Sequence, residues 1–435
     1  MMDQSKKIIN GWCLYDWANS VYLLVITSTI FPVYYNGVTR QAFDSENVLF
    51  FGYEVVNTVL YSYSVSLSFL VVAALSPLLS GIADYSGQKK IFLKFFTYLG
   101  ASSSAALYLF NGQDVEYGII MSVLASIGYS GSLVFYNAYL PEITTSDNYD
   151  AVSARGYTFG YIGSVLLLIL SLVFIEKHEI LGFASELQAV RLSFLLVGVW
   201  WFLFASISFS ILPQNQNTKS ISLNILTKGY KEILYVFGQL KQLRVMRFYL
   251  MSFLFYSAGV QTVMFLAATF GDKELKLEST KLIATVLVIQ LVAIPGAYFF
   301  SWISKQRGNK ISILSMLMIW IGVCLYAFVL RTEIQFYFLA AVVGLIMGGI
   351  QSMSRSTFSK LIPKNSPDNT SFFSFYDVTE KLSIVGGTFS YGLIEQLTGS
   401  MRNSTLVLGL FFVIGIGLLL YSRMDVGRAS QTSGA

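Results

Sequence analysis

Apolar stretches of about twenty residues recur along this chain between short polar breaks, and none alternates apolar and polar side chains as a half-buried strand would. They lie near residues 11–35, 57–82, 91–110, 117–140, 156–176, 191–212, 246–270, 281–303, 311–330, 335–352, 372–395 and 404–422. Twenty residues rising about 1.5 Å each match the roughly 30 Å hydrocarbon core of a bilayer. Lipid offers the backbone no hydrogen-bond partners, which selects helices. The pattern therefore predicts an all-α membrane protein with twelve transmembrane helices. The opening "MMDQSKKIIN" has the charge of a signal-peptide start, but the apolar run after it is too long and carries no small-residue cleavage site, so it is read as a retained first span.

The longest polar break, residues 213–245, divides the spans six and six. Residues 1–212 are expected to form an N-terminal six-helix bundle and residues 246–435 a C-terminal one, joined by this linker. Within the linker, Leu226, Tyr230, Ile233, Leu234, Phe237 and Leu240 recur at helical spacing with Lys228, Lys231 and Lys241 between them. That pattern predicts an amphipathic helix on the inner membrane surface. The halves also echo each other. "GQKK" at Gly87 and "GNK" at Gly308 are offset by 221 residues, and "YLPEI" around Pro141 and "LIPKN" around Pro363 by 222. The echo predicts two pseudo-symmetric bundles, the plan of one large class of secondary transporters with midplane sites.

Hydrophobic residues make up 54% of the chain and charged ones only 12%, so the net charge of +5 has to be read loop by loop. With both termini cytoplasmic, 20 of the 29 Lys and Arg lie inside, 8 lie outside, and Lys381 falls within a span. This asymmetry follows the positive-inside rule. Topology thus accounts for the basic surplus and leaves no case for nucleic-acid binding. Cys13 and Cys324 both fall within spans, so no extracellular disulfide framework is expected. His178, the only histidine, lies in an outer loop, and neither a Cys/His metal spacing nor a G-x-x-x-x-G-K-S/T run occurs. No cofactor or metal is expected, and no nucleophile–base–metal constellation argues for an enzyme.

Polar groups inside apolar spans carry the functional signal, because an ionisable side chain in lipid costs a few kcal/mol or more and usually faces a polar interior. Span 1 contains Asp16 and Asn19 within "GWCLYDWANSVYLL". Span 11 contains Asp377, Glu380 and Lys381 within "FYDVTEKLS". On a helix Asp377 and Lys381 stand one turn apart and can pair, with Glu380 in the same sector. Helical rise from Phe372 places Lys381 about 14 Å deep, near the midplane. The three charges are expected on a substrate or proton path, with an internal strut as the alternative.

Between spans 2 and 3, "SPLLSGIADYSGQKK" resembles the glycine–acid–glycine–basic signature of the major facilitator superfamily, through Gly81, Asp84, Gly87, Lys89 and Lys90. A glycine turn reconnects two spans without crowding, the acid attracts a helix N-terminus, and the lysines hold the loop inside. In the second half Lys305 stands where Asp84 aligns, so only the first copy is expected to keep the acid. "YDWANS", "YNAYLPEI", "ARGYTFGYIGS", "GGIQSMSRSTFSKLIPK" and "FFSFYDVTEKLS" make the chain similar, from span 1 to span 11, to the branch containing the fungal autophagy-related vacuolar effluxers and their bacterial relatives. One departure is Ala258 in "FYSAGVQT", where such proteins often carry an acid.

The resemblance implies the major facilitator fold, alternating access, and a central cavity lined by spans 1, 4, 7 and 10. Tyr15, Asp16, Asn19 and Ser20 would face that cavity from span 1, Tyr136 and Asn137 from span 4, Gln261 from span 7, and Gln351 and Arg355 from span 10. Gly81, Asp84, Gly87, Lys89, Lys90, Arg155 and Arg355 are expected at an inner gate, where Asp84 holds either the N-terminal end of span 11 or a basic partner such as Arg155 or Arg355. The offset of 222 also sets Arg155 against Asp377 as a weaker gate pair. The expected function is secondary active transport of a small polar solute in the inner cell membrane. An amino acid is the candidate solute and the proton the candidate coupling ion. A non-transporting receptor or assembly platform that keeps the fold is the alternative.

Overall fold

Span 1 is a continuous helical rod with a change of pitch. In the computed structural model, which describes residues 2–214, 225–364, 366–422 and 424, α1 (Met2–Val21) runs into a π-helical segment, Tyr22–Ile30, and on into α2 (Phe31–Phe43). Pro32 in the first turn of α2 has no N–H to donate back along the helix, and Thr29 Oγ1 donates to Leu24 O at 2.6 Å. The wide turns begin three residues after Asn19, and π-turns concentrate at functional sites.

A hairpin follows, β1 (Asn47–Phe50) and β2 (Tyr53–Val56), antiparallel with Asn47 opposite Val56 and Phe50 opposite Tyr53. Phe51 and Gly52, at φ of 49° and 85°, make the tight turn that two-residue hairpins favour. The hydropathy pattern gives no sign of it, because four-residue strands with mostly exposed side chains carry too little alternation.

The remaining helices are α3 (Asn57–Ser86), α4 (Lys89–Ala106), α5 (Val115–Asn137), the short α6 (Leu140–Ile143), α7 (Tyr149–Glu176), α8 (Glu186–Ile211), the linker helix α9 (Ile225–Gln242), α10 (Arg244–Leu275), α11 (Ser279–Arg307), α12 (Asn309–Val329), α13 (Glu333–Leu361), α14 (Asn369–Thr398) and α15 (Met401–Tyr421). Ten helical segments among the described residues are long and apolar enough to cross a membrane. Two further long helices are more polar, α4 with Lys89, Lys90 and Lys94, and α14 with Asp377, Glu380 and Lys381. With them the chain has the twelve-helix architecture its hydropathy predicts.

Packing groups the chain into two units. The first comprises Met1–Leu79, Ser86–Tyr136 and Phe159–Ser220, and the second comprises Ser80–Tyr85, Asn137–Thr158 and Ile221–Ala435. The C-terminal end of α3 and the stretch from the end of α5 to the start of α7 therefore pack with the later helices. Glycines set the closest crossings in each unit. In the first, a Cβ on Gly128 would lie 2.3 Å from Gly100 N. In the second, a Cβ on Gly348 of α13 would lie 2.0 Å from Ala293 O of α11. Small residues suit membrane helices because lipid tails are as apolar as Leu, leaving packing and hydrogen bonds to hold spans together.

The linker helix α9 packs within the second unit. A Cβ on Gly81 would meet Gly229 O at 2.4 Å, and Phe237 stacks on Phe375 with ring centroids 5.9 Å apart. Gly81 is thus required for a close helix approach, while Gly87, at φ 69°, makes the turn into α4. Tyr230, Leu234 and Tyr235 stay exposed, an apolar face available to a membrane surface. The Leu226 side chain lies outside the described residues.

Candidate functional site

In the second unit α14 carries its charges in one sector. Lys381 Nζ pairs with Asp377 Oδ1 at 3.3 Å and with Glu380 Oε2 at 3.4 Å. Asp377 and Lys381 are buried and Glu380 is partly exposed. From α10, Gln261 Nε2 donates to Glu380 Oε1 at 3.0 Å. Breaking a buried ion pair by removing one partner typically costs about 3–5 kcal/mol because it leaves an uncompensated charge. The trio therefore acts as a unit.

Glu380 and Gln261 open onto a small cleft, shared with Gln351 and Ser354 of α13 and with the rings of Tyr157 and Tyr376. A larger pocket in the same unit is lined almost wholly by apolar side chains such as Phe270, Leu339 and Leu408. The polar cleft is the better candidate, because recognition of a polar solute needs convergent hydrogen-bonding groups and a charge.

Beside the cleft, Arg355 is buried. Its Nε donates to Ser153 Oγ at 3.0 Å, Nη2 to Ser153 O at 2.9 Å and Nη1 to Asn137 Oδ1 at 3.4 Å, and the guanidinium lies 4.2 Å from the Tyr157 ring centroid. Several directed bonds and a stacked ring use the planar fork that distinguishes Arg from Lys. Asn137 and Arg355, both expected on the path, are thus in contact.

Asp84 reaches the N-terminal end of α14, as expected of it. Its carboxylate accepts the backbone N–H groups of Ser371 at 2.6 Å and Thr370 at 3.2 Å, at the N-terminal end of α14 where unsatisfied amides and the helix dipole favour an anion. Asp368 stands just before that helix, and burial, followed by the charges of Glu232 and Asp84, pushes its carboxyl up to about 7. In the first unit, Lys90 Nζ donates to Leu212 O at 2.7 Å beyond the C-terminal end of α8, and Lys89 is buried. Arg155 is half-buried on α7.

Asp150 stands in the first turn of α7. Its carboxylate accepts from Lys360 Nζ at 2.7 Å, Ser304 Oγ at 2.8 Å and Asn309 Nδ2 at 2.9 Å. Lys360 Nζ also donates to Asn309 Oδ1 at 2.7 Å, and Asn309 Nδ2 to Thr357 Oγ1 at 2.9 Å.

In the first unit, Asp16 is buried and its Oδ2 accepts from Tyr136 Oη at 2.7 Å. Trp12 stacks on Tyr136 at 4.7 Å and donates from Nε1 to its carbonyl at 3.1 Å. Tyr15, fully buried, shares a 2.7 Å hydrogen bond with Thr97 of α4. Asn19 is buried as well, and its Nδ2 has no hydrogen-bond partner among the described residues. Gly160 of α7 lets α1 come close, since a Cβ there would lie 2.4 Å from Ser20 Oγ. Among the described residues no group of three or more His, Cys, Asp or Glu is placed to hold a metal.

Long apolar helices with charged and amide groups buried among them are here arranged as in the major facilitator fold. FucP, a major facilitator superfamily transporter captured in its outward conformation, aligns over 97% of this chain and 98% of its own with a TM-score of 0.68 and 13% identity. The proton:xylose symporter XylE aligns over 97% and 96% with a TM-score of 0.72 and 11% identity. At such identities the likeness is one of fold. The chain belongs to the Atg22-like vacuole effluxer family, which it matches over residues 4–150 and 144–432. YxiO, an MFS-type transporter of Bacillus subtilis, is 31% identical, covering 97% of this chain and 96% of its own. Autophagy-related protein 22 of Kluyveromyces lactis is 24% identical, covering 99% and 95%. The protein is a multi-pass secondary transporter and not an enzyme.

Proposed function

We propose that the protein carries an amino acid across the membrane by alternating access, coupled to proton movement. The observation that supports this most is the placing of Glu380, bonded to Gln261 and Lys381, on a polar cleft with aromatic walls. An amino acid offers an ammonium for Glu380, a carboxylate for amide and hydroxyl donors, and a side chain for the rings. Its ammonium competes with Lys381 for Glu380, so loading redistributes charge over Asp377, Glu380 and Lys381, and Asp16 is the matching carboxylate of the first unit. Purified protein should melt higher with one or more amino acids and not with sugars or nucleosides. Saturation at about 100 times Kd stabilises the native state by about 2.7 kcal/mol. Glu380→Gln should abolish the shift, and a shift confined to sugars or nucleosides would overturn the reading.

We also infer that both termini and the 213–245 linker are cytoplasmic in an inner cell membrane, from the 20 to 8 division of Lys and Arg. In that orientation the hold of Asp84 on α14 forms part of an inner gate. In a variant lacking Cys13 and Cys324, an impermeant maleimide added to sealed cells should label a cysteine at position 178 and spare one at 228. Labelling at 228 would reverse the orientation.

A further inference from the structure

We propose that the turn from α9 into α10 holds the phosphate of an anionic phospholipid. Three cations follow one another there, Lys241 in the last turn of α9 and Arg244 and Arg247 at the start of α10, and all three are exposed. Each lies over an aromatic ring and none is paired with a carboxylate. Lys241 Nζ is 4.5 Å from the Phe237 ring centroid, the Arg244 guanidinium 5.3 Å from that of Tyr421 and 5.8 Å from that of Phe248, and the Arg247 guanidinium 5.6 Å from that of Phe248. Other cations of the same unit have acids: Lys273 pairs with Glu395, Lys281 with Glu333 and Arg402 with Glu274. Among the described residues the Arg247 side chain makes one hydrogen bond, from Nη1 to Lys241 O at 3.2 Å, and the Arg244 side chain makes none.

A ring beneath a guanidinium attracts the cation and leaves its N–H edge free, and that edge matches two phosphate oxygens at once. The first turn of a helix favours acids over cations, so the arginines do not stabilise α10 itself. The positive-inside rule asks for cations at this level but not for their seating on rings. The surroundings fit the rest of a lipid. The membrane-crossing stretch of α10 begins at Arg244 and that of α15 ends at Tyr421, which sets the cations at headgroup depth. Phe248 and Tyr421 meet edge to face with centroids 4.8 Å apart, forming one shelf across the two helices. From there Leu420, Val413, Leu410 and Leu406 recur at helical spacing along α15, all exposed, as an apolar wall for an acyl chain. A zwitterionic head would bring a further cation, for which the patch offers no acid, whereas a head charged only by its phosphate meets three cations. A lipid held here ties α9 to α10 and so keeps the linker helix where Gly229 meets Gly81. The site is independent of which solute is carried and of which membrane face the linker occupies.

Native mass spectrometry of delipidated protein in detergent, titrated with phosphatidylglycerol or phosphatidylcholine, tests the site. Phosphatidylglycerol should be retained about tenfold more tightly than phosphatidylcholine, as expected for basic residues near an anionic head. Arg244→Gln with Arg247→Gln should remove that preference. Lys305→Gln with Arg307→Gln takes the same charge from exposed positions at the end of α11 and should leave the preference within about twofold, because screened charges act weakly at a distance. Arg244→Lys with Arg247→Lys keeps the charge and should weaken retention by about threefold, since an ammonium lacks the planar fork. This pair reads the site even where the glutamine pair fails to fold. Inorganic phosphate in excess should not displace the lipid, because it gains nothing from the apolar wall. Equal retention of the two lipids, equal losses in the two glutamine pairs, unchanged retention in the lysine pair, or displacement by inorganic phosphate would overturn the lipid site.

Discussion

Asp16→Asn is expected to reduce proton-driven uptake in proteoliposomes by roughly 100-fold, the equivalent of about 2.7 kcal/mol in the coupled step, while solute exchange stays within about threefold of the unaltered protein. The substitution is chosen because it keeps the shape of the side chain while removing its charge and its ability to carry a proton. An Asn Oδ1 can still accept from Tyr136 Oη, now 2.7 Å from the Asp16 carboxylate, and the Trp12–Tyr136 stack is untouched. The melting temperature should therefore move by only a few degrees. Exchange cycles the loaded carrier alone and need not move the proton, so it separates coupling from binding. Normal proton-driven uptake by a well-folded Asp16→Asn protein would remove Asp16 from the coupling set, and loss of both activities would make it a binding or structural residue instead.

Gly348→Leu should leave no folded protein. A Cβ at Gly348 would lie 2.0 Å from Ala293 O, one at Gly344 2.5 Å from Ile289 O, and one at Gly296 2.0 Å from Leu345 O, so α11 and α13 touch through backbone on both sides. Nothing at this crossing can yield, since the opposing atoms are carbonyls and not the ends of flexible side chains. Even Gly348→Ala should cost about 1–3 kcal/mol by overpacking, seen as a melting point lower by several degrees. Gly322→Ala in α12 is the control, because nothing lies within 4 Å of the added methyl and alanine favours the helix. A monodisperse Gly348→Leu protein that melts like the unaltered one would refute the packing account.

Much of this protein was legible before any fold was known, and for a common reason. Burial in lipid acts on each segment separately, so hydropathy alone located the spans, and the polar runs at Asp16 and Asp377 stood out because a uniform apolar solvent tolerates few exceptions. The helical period likewise determined the Asp377–Lys381 pair, which needs only one turn of one helix. The glycine–acid–glycine run marked Asp84 as a helix-capping acid, but the choice of helix lay outside it. That choice joins residues 287 apart, and the Asp150–Lys360 pair joins residues 210 apart. Neither is a property of local sequence. The role of Gly81 as a seat for Gly229, the enclosure of Asp368 by Glu232 and Asp84, and the cleft around Glu380 all depend on which helices become neighbours. Sequence by itself determined what each helix is and which residues are too polar for lipid. Tertiary structure decided whom those residues meet, because hydrogen bonds and ion pairs act over a few ångströms and only packing brings distant segments that close.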